Sequence, residues 1–198
     1  MHKREIRALS GVETRADGGV RKIVGYAAVF DSPTDIGGVF REQIRKGAFS
    51  SAIGRDDVRA LFNHDDNLVL GRTKAGTLSL SEDTHGLRAE ITPPDTAWAR
   101  DLMVSIERGD VSQMSFAFQA TKQEWDDTGD IPVRTIIEAE LYDVSPVTYP
   151  AYPDTEVALR SRDGARKEAG RRNSAAAQRR IAERKAQTEQ RLRGIKPA

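Results

Sequence analysis

The chain has 198 residues, 38% hydrophobic and 31% charged, room for one ordinary domain and an appendage. It has no cysteine, which excludes a disulfide scaffold, a thiol nucleophile, an iron–sulfur cluster and a cysteine-ligated zinc site. The net charge of +1 conceals a division: residues 160–198 hold 13 Lys/Arg against 4 Asp/Glu, whereas residues 1–159 hold 18 against 26. Such asymmetry marks a globular body joined to an interaction tail. No apolar run approaches the roughly 20 residues needed to span a bilayer. The opening MHKREIRALS lacks the apolar stretch and cleavage site of a secretion signal, so a soluble protein of a cytoplasm-like compartment is expected.

In chain order, the first predicted strand is Lys22 to Phe30, followed by the loop DSPTDIGG. Val58 to Asn63 reads as a second strand that ends at turn-forming Asp65, Asp66 and Asn67. Leu78 and Leu80 alternate with serines, and Leu87, Ala89 and Ile91 alternate on the return past Gly86, which predicts a hairpin. Pro93 and Pro94 then stop the strand. Asp95 or Thr96 can cap a helix whose Trp98, Leu102 and Ile106 share one face, with Gly109 past its end. Val111 to Ala120 and Val133 to Val147 read as two more strands, joined by the polar loop TKQEWDDTGD. Many short strands with one or two helices predict an α+β, mainly β domain over 1–159: a barrel or sandwich with helices outside.

The stretch from Ala175 to Leu192 is built of strong helix formers, yet its only large apolar residues are Ile181 and Leu192. Residues 160–198 therefore read as a basic, flexible or partly helical tail.

Few residues suit chemistry. His2 lies at the terminus and His85 in a turn, whereas His64 stands where an apolar strand meets a loop, a position from which functional groups are often presented. In GDVSQMSFAF, strand geometry puts Met114, Phe116 and Phe118 on one face and turns the hydroxyl of Ser115 to the other; Ser112 falls on the methionine side. The same pattern also suits an ordinary outward serine. Glu138, Glu140 and Asp143 cluster near Tyr142 and Ser145 on the last strand, where charges on a wet edge are common. His64, Asp65 and Asp66, even with Glu90, have poor metal-ligand spacing, since adjacent strand residues point to opposite faces. Neither a nucleotide cradle nor a GxSxG elbow is present, so no metal or cofactor is expected.

Five segments occur in order: GYAAVFDSPTDIGGVFREQIRKGAF, LFNHD, LGRTKAGTLSLSEDTHGLRAEITPPDT, GDVSQMSFAF and LYDVSPVTYPAYPDT. This succession, over roughly residues 20–157, resembles the prohead proteases of tailed bacteriophages, which are distantly similar to the herpesvirus assemblins. The resemblance implies a serine protease with an assemblin-like β-barrel surrounded by helices. It maps the family's histidine onto His64 and its serine onto Ser115. The herpesvirus enzymes use a second histidine after the serine, but no histidine follows Ser115 here. An acidic residue would take its place, Asp143 or Glu140. The residue types fit: an imidazole can take the hydroxyl proton, and a carboxylate behind the ring can fix its tautomer.

By resemblance, the expected function is an endopeptidase that works in the host cytoplasm inside the assembling procapsid. It would cut the scaffolding segment from the major capsid protein, and also its own chain, an exposed linker such as 160–175 being the easiest reach. Self-association is a further partner of this family type. The competing expectation is a non-catalytic assembly factor of the same fold that recruits capsid subunits through its tail. A nucleic-acid binder has only the tail's charge in its favour, since the body is acidic and lacks an aromatic–basic stacking surface.

Overall fold

The computed structural model describes residues 4–17 and 19–149, with 163, 164, 167, 171, 178–180, 182 and 183, these last in helical conformation. The expected tail thus lies almost wholly outside the described residues, as does His2. The chain divides into two units, Met1–Thr155 and Glu156–Ala198, and every strand among the described residues belongs to the first.

In that unit β1 (Glu5–Ser10), β2 (Val12–Asp17), β3 (Val20–Val29), β4 (Thr34–Ile36) and β5 (Phe40–Ile44) precede helix α1 (Ser50–Arg55). Then come β6 (Arg59–Phe62), β7 (Asp65–Arg72), β8 (Leu78–Glu82), β9 (Gly86–Ile91), helix α2 (Ala97–Glu107), β10 (Gln113–Asp126) and β11 (Val133–Val147). One sheet runs β1-β10-β11-β5-β4, with β6 pairing to β11 and β7 to β6; the other runs β2-β3-β9-β8. A single core lies among them, with Ile23, Ala27, Leu87, Ala89 and Ile91 of the smaller sheet meeting Met114, Phe116, Phe118, Ile136 and Val144 of the larger.

The expected closed barrel is not formed. Closure would require the outer strands of the smaller sheet, β2 and β8, to bond strands of the larger, and among the described residues they do not. The chain instead steps from one sheet to the other at Gly11, whose φ of +118° suits glycine alone. There Gly25 of β3 approaches so closely that a Cβ would stand 2.5 Å from the Gly11 carbonyl oxygen. Of the expected ring of helices, the described residues of the first unit supply two α-helices, α1 and α2. In α2 the predicted stripe holds: Leu102 and Ile106 are buried, with Trp98 packed beside them.

The β10–β11 hairpin is longer than its sequence suggests. The presumed loop after Ala120 continues β10 to Asp126, because Lys122, Glu124 and Asp126 point outward while Trp125 packs edge-on against Phe40, centroids 5.0 Å apart. β11 changes partner along its length, pairing in parallel with β5 through Val133–Ile136 and with β6 at Asp143 and Val144. Between those stretches the Ala139 amide donates to the Ala48 carbonyl, and the Leu141 amide donates to the Asp56 carboxylate at 2.9 Å. A bulge at Tyr142 shifts the hairpin register: Ala117 faces Asp143, but the next residue, Phe118, faces Leu141.

Candidate active site

His64 owes its position to a tight turn. Phe62 and Asp65 pair across β6 and β7, leaving Asn63 and His64 as a two-residue loop with φ of +54° and +57°. Two positive φ values are what the type I′ hairpin turn requires, and Asn and His tolerate them better than most side chains. The Asn63 side chain ties the turn to the end of β11: its Oδ1 accepts from the Thr148 amide at 2.9 Å and its Nδ2 donates to the Thr148 hydroxyl at 3.2 Å. The Asn63 amide donates to the Pro146 carbonyl. The imidazole is thereby suspended over the strand that carries Asp143.

Ser115 lies in the middle of β10, opposite Ser145 of β11 on one side and Ala8 of β1 on the other. β11 places Asp143 one pleat from Ser145 on the same face. The three side chains meet in a line. The His64 Nε2 stands 2.7 Å from the Ser115 Oγ, and its Nδ1 stands 2.5 Å from the Asp143 Oδ1. Ser145 donates its hydroxyl to the same Asp143 oxygen at 2.9 Å. A carboxylate can only accept, so Nδ1 carries the ring proton and Nε2 offers its lone pair to the serine.

Burial sets the electrostatics. Ser115 is fully buried, Asp143 nearly so, and the His64 side chain is 14% exposed. Desolvation, and after it the Arg4 guanidinium, push the His64 imidazole down from 6.5 to about 4, so the ring is neutral at physiological pH. Arg4 also forms an ion pair with the second oxygen of Asp143. The Ser115 hydroxyl has another acceptor in reach, the main-chain carbonyl of Arg7 at 2.7 Å.

Of the predicted residues, the fold brings together His64, Ser115 and Asp143. Glu140 is not bonded to them. The bulge turns it to the same face as Asp143, where it lines a cleft with Arg4, Asp57 and Asp143, but it is paired with Gln119, one pleat further from the serine. Glu138, paired with Lys122, lies further still. Ser112 is exposed and precedes β10. Ser115 itself is no outward serine of a half-exposed strand: it is fully buried, flanked by β1 and β11 within the sheet, with the His64 ring on its hydroxyl. His85 packs edge-on against Tyr26, away from the array. Two contributors carried little sequence signal. Ser145 shares a face with Asp143 by strand period, which could have marked it, but nothing in the sequence announces Arg4.

The family model of caudovirus prohead serine proteases matches residues 10–169. The chain belongs to that family. No curated protein matches it in sequence. Among solved structures, the bacteriophage T4 capsid assembly protease is similar at 13% identity, covering 74% of this chain and 99% of that one with a TM-score of 0.42. A likeness that distant says nothing of individual residues.

Proposed function

We propose that this chain is a serine endopeptidase of prohead maturation in which Ser115 is the nucleophile, His64 the general base and Asp143 the residue that orients the ring. The observation that carries this reading is the continuous line from Ser115 Oγ through His64 to Asp143, at 2.7 and 2.5 Å. In the reaction, Nε2 takes the hydroxyl proton as Oγ bonds to the carbonyl carbon of a peptide. The amine leaves with that proton, forming an ester on Ser115. Water, deprotonated by the same nitrogen, then releases a carboxylate and restores the serine. Asp143 keeps the ring in the required tautomer and stabilises the imidazolium, and Ser145 holds Asp143.

The substrate proposed is the scaffolding segment of the major capsid protein, cut inside the assembling procapsid in the host cytoplasm, with the protease's own chain as a second substrate. A non-catalytic assembly factor would have no use for a buried neutral imidazole between a hydroxyl and a carboxylate. The domain is taken to end near 159, with 160–198 as the element that recruits the enzyme to capsid subunits. Co-expression with the capsid protein, followed by intact-mass analysis, tests the reading: wild type should yield the shortened capsid protein and Ser115→Ala the full-length one. Shortening by a folded Ser115→Ala protein would sink it.

A further inference from the structure

With Ser115 wholly buried, no substrate can reach the hydroxyl while every strand keeps its place. β11 and the β6–β7 turn carry Asp143 and His64, so displacing either would dismantle the array. β1 is different. Among the described residues it forms the outer edge of its sheet, its backbone paired with β10 alone, and it joins the body through Gly11. Its removal would expose the free edge of β10 beside Ser115, and an extended peptide binds such an edge by adding a strand.

β1 already offers what a substrate would. Its Arg7 carbonyl lies 2.7 Å from the Ser115 Oγ, where the hydroxyl can donate to the carbonyl oxygen instead of to His64. Main-chain carbonyl and nucleophile are thus in contact, but the proton is directed away from the base and no bond is attacked. Ile6 and Ala8 lie on the serine face, while Glu5 and Arg7 lie on the other, opposite Phe118 and Phe116. There the Arg7 guanidinium donates to both oxygens of Glu42, at 2.6 and 3.0 Å, and Glu5 accepts from Arg134 at 2.8 Å. Glu42 and Arg134 are 3% and 2% exposed. Without β1 each of these buried ions loses a partner of opposite charge, a costly state that a peptide strand with the same two charges would relieve.

We infer, building on the catalytic reading above, that the β10 edge is the peptide-binding edge and that β1 occupies it as a built-in pseudosubstrate. Glu42 then selects a Lys or Arg immediately before the cut bond, and Arg134 selects an acidic residue two positions earlier. Cleavage follows the hydrolysis already described, with the basic residue contributing the acyl group. The Glu-x-basic pattern of Glu5-Ile6-Arg7 recurs at Glu13-Thr14-Arg15, Glu183-Arg184-Lys185 and Glu189-Gln190-Arg191, the last two in the basic tail. These, rather than 160–175, are where this specificity would cut the tail.

The test uses the full-length chain, a serine-directed fluorophosphonate and short peptides containing Glu-Ile-Arg-Ala, with Leu or Glu in place of the Arg. Arg7→Ala loosens β1 without touching the array, so its Ser115 should label at least about tenfold faster than wild type. It should cut the Arg peptide at least about tenfold faster than the Leu peptide. Glu42→Gln should still label but lose most of that preference. Labelling of Arg7→Ala no faster than wild type, or a labelled enzyme indifferent to the Arg, overturns the inference. If Glu42→Gln does not fold, the Arg7→Ala peptide comparison decides alone. The catalytic reading fails separately, by absence of Ser115 labelling in every folded variant together with an intact co-expressed capsid protein.

Discussion

Buried polar groups, drawn mostly from neighbouring strands, lie on both faces of the sheet around β10, and the two sets differ in kind. On one face, Glu5, Arg7, Glu42 and Arg134 form a closed quartet of two acids and two bases, each ion bonded to both of its opposites. Burial would raise Glu5, but Arg134 and Arg7 outweigh it and hold the carboxyl below its ordinary range. On the other face the charges do not close on themselves. The His64–Asp143–Ser115 line ends in a hydroxyl with two acceptors, and its central ring is kept neutral. A saturated network fixes strands in place, whereas a line with a movable proton can do chemistry.

The largest expected effects separate the faces. Ser115→Ala and His64→Ala should each lower peptide cleavage by roughly 10³-fold or more, with the double variant no slower, because members of one catalytic unit are not additive. Asp143→Asn should lose about 10⁴-fold through the wrong tautomer, while Glu140→Gln should stay within about twofold of wild type on the same comparison. Steady-state rates with a capsid-derived peptide check all five. A strong Glu140 effect would redraw the site around the cleft.

On the quartet face the cost should appear in stability. Arg134→Ala leaves Glu5 and Glu42 buried and short of a partner, for a loss of about 3–5 kcal/mol in urea unfolding. Smaller effects follow from Ser145, whose loss to Ala should cost roughly 1 kcal/mol and lower kcat more than KM, since it steadies Asp143 without touching substrate.

The smallest effect sharpens the electrostatic contrast. With His64 at about 4 in the folded chain and 6.5 when unfolded, protonation favours unfolding. The stability linked to this ring is full above pH 6.5 and falls as pH drops toward 4. Cleavage in the wild type should therefore keep its rate from pH 7 down to about 5. Arg4→Gln removes one of the two causes, so it should move the acid limb upward. A limb that stays put in Arg4→Gln would mean that burial alone sets the value.

Period-two alternation fixed which β10 residues share the serine's face, and the α2 stripe was equally plain, because both patterns are local. The choice between Asp143 and Glu140 could not be local. It depends on the β6–β7 turn, which sets the imidazole against Asp143; the bulge at Tyr142, beside the Leu141 amide held by Asp56, leaves Glu140 on the same face but one pleat further along. The continuation of β10 past Ala120 was hidden for a similar reason. Its polar residues resemble a loop until Trp125 is seen against Phe40.

By itself, then, the sequence determined the residue types for the chemistry, the strands that carry Ser115 and Asp143, and the charge division along the chain. These are properties of neighbours within a few residues. Tertiary structure alone decided that the sheets stay open, that Asp143 rather than Glu140 reaches the imidazole, and that Arg4 and Arg7 bear on the same site. Each depends on pairing between segments more than 50 residues apart, and such pairings are selected by burial of the whole core rather than by any local preference.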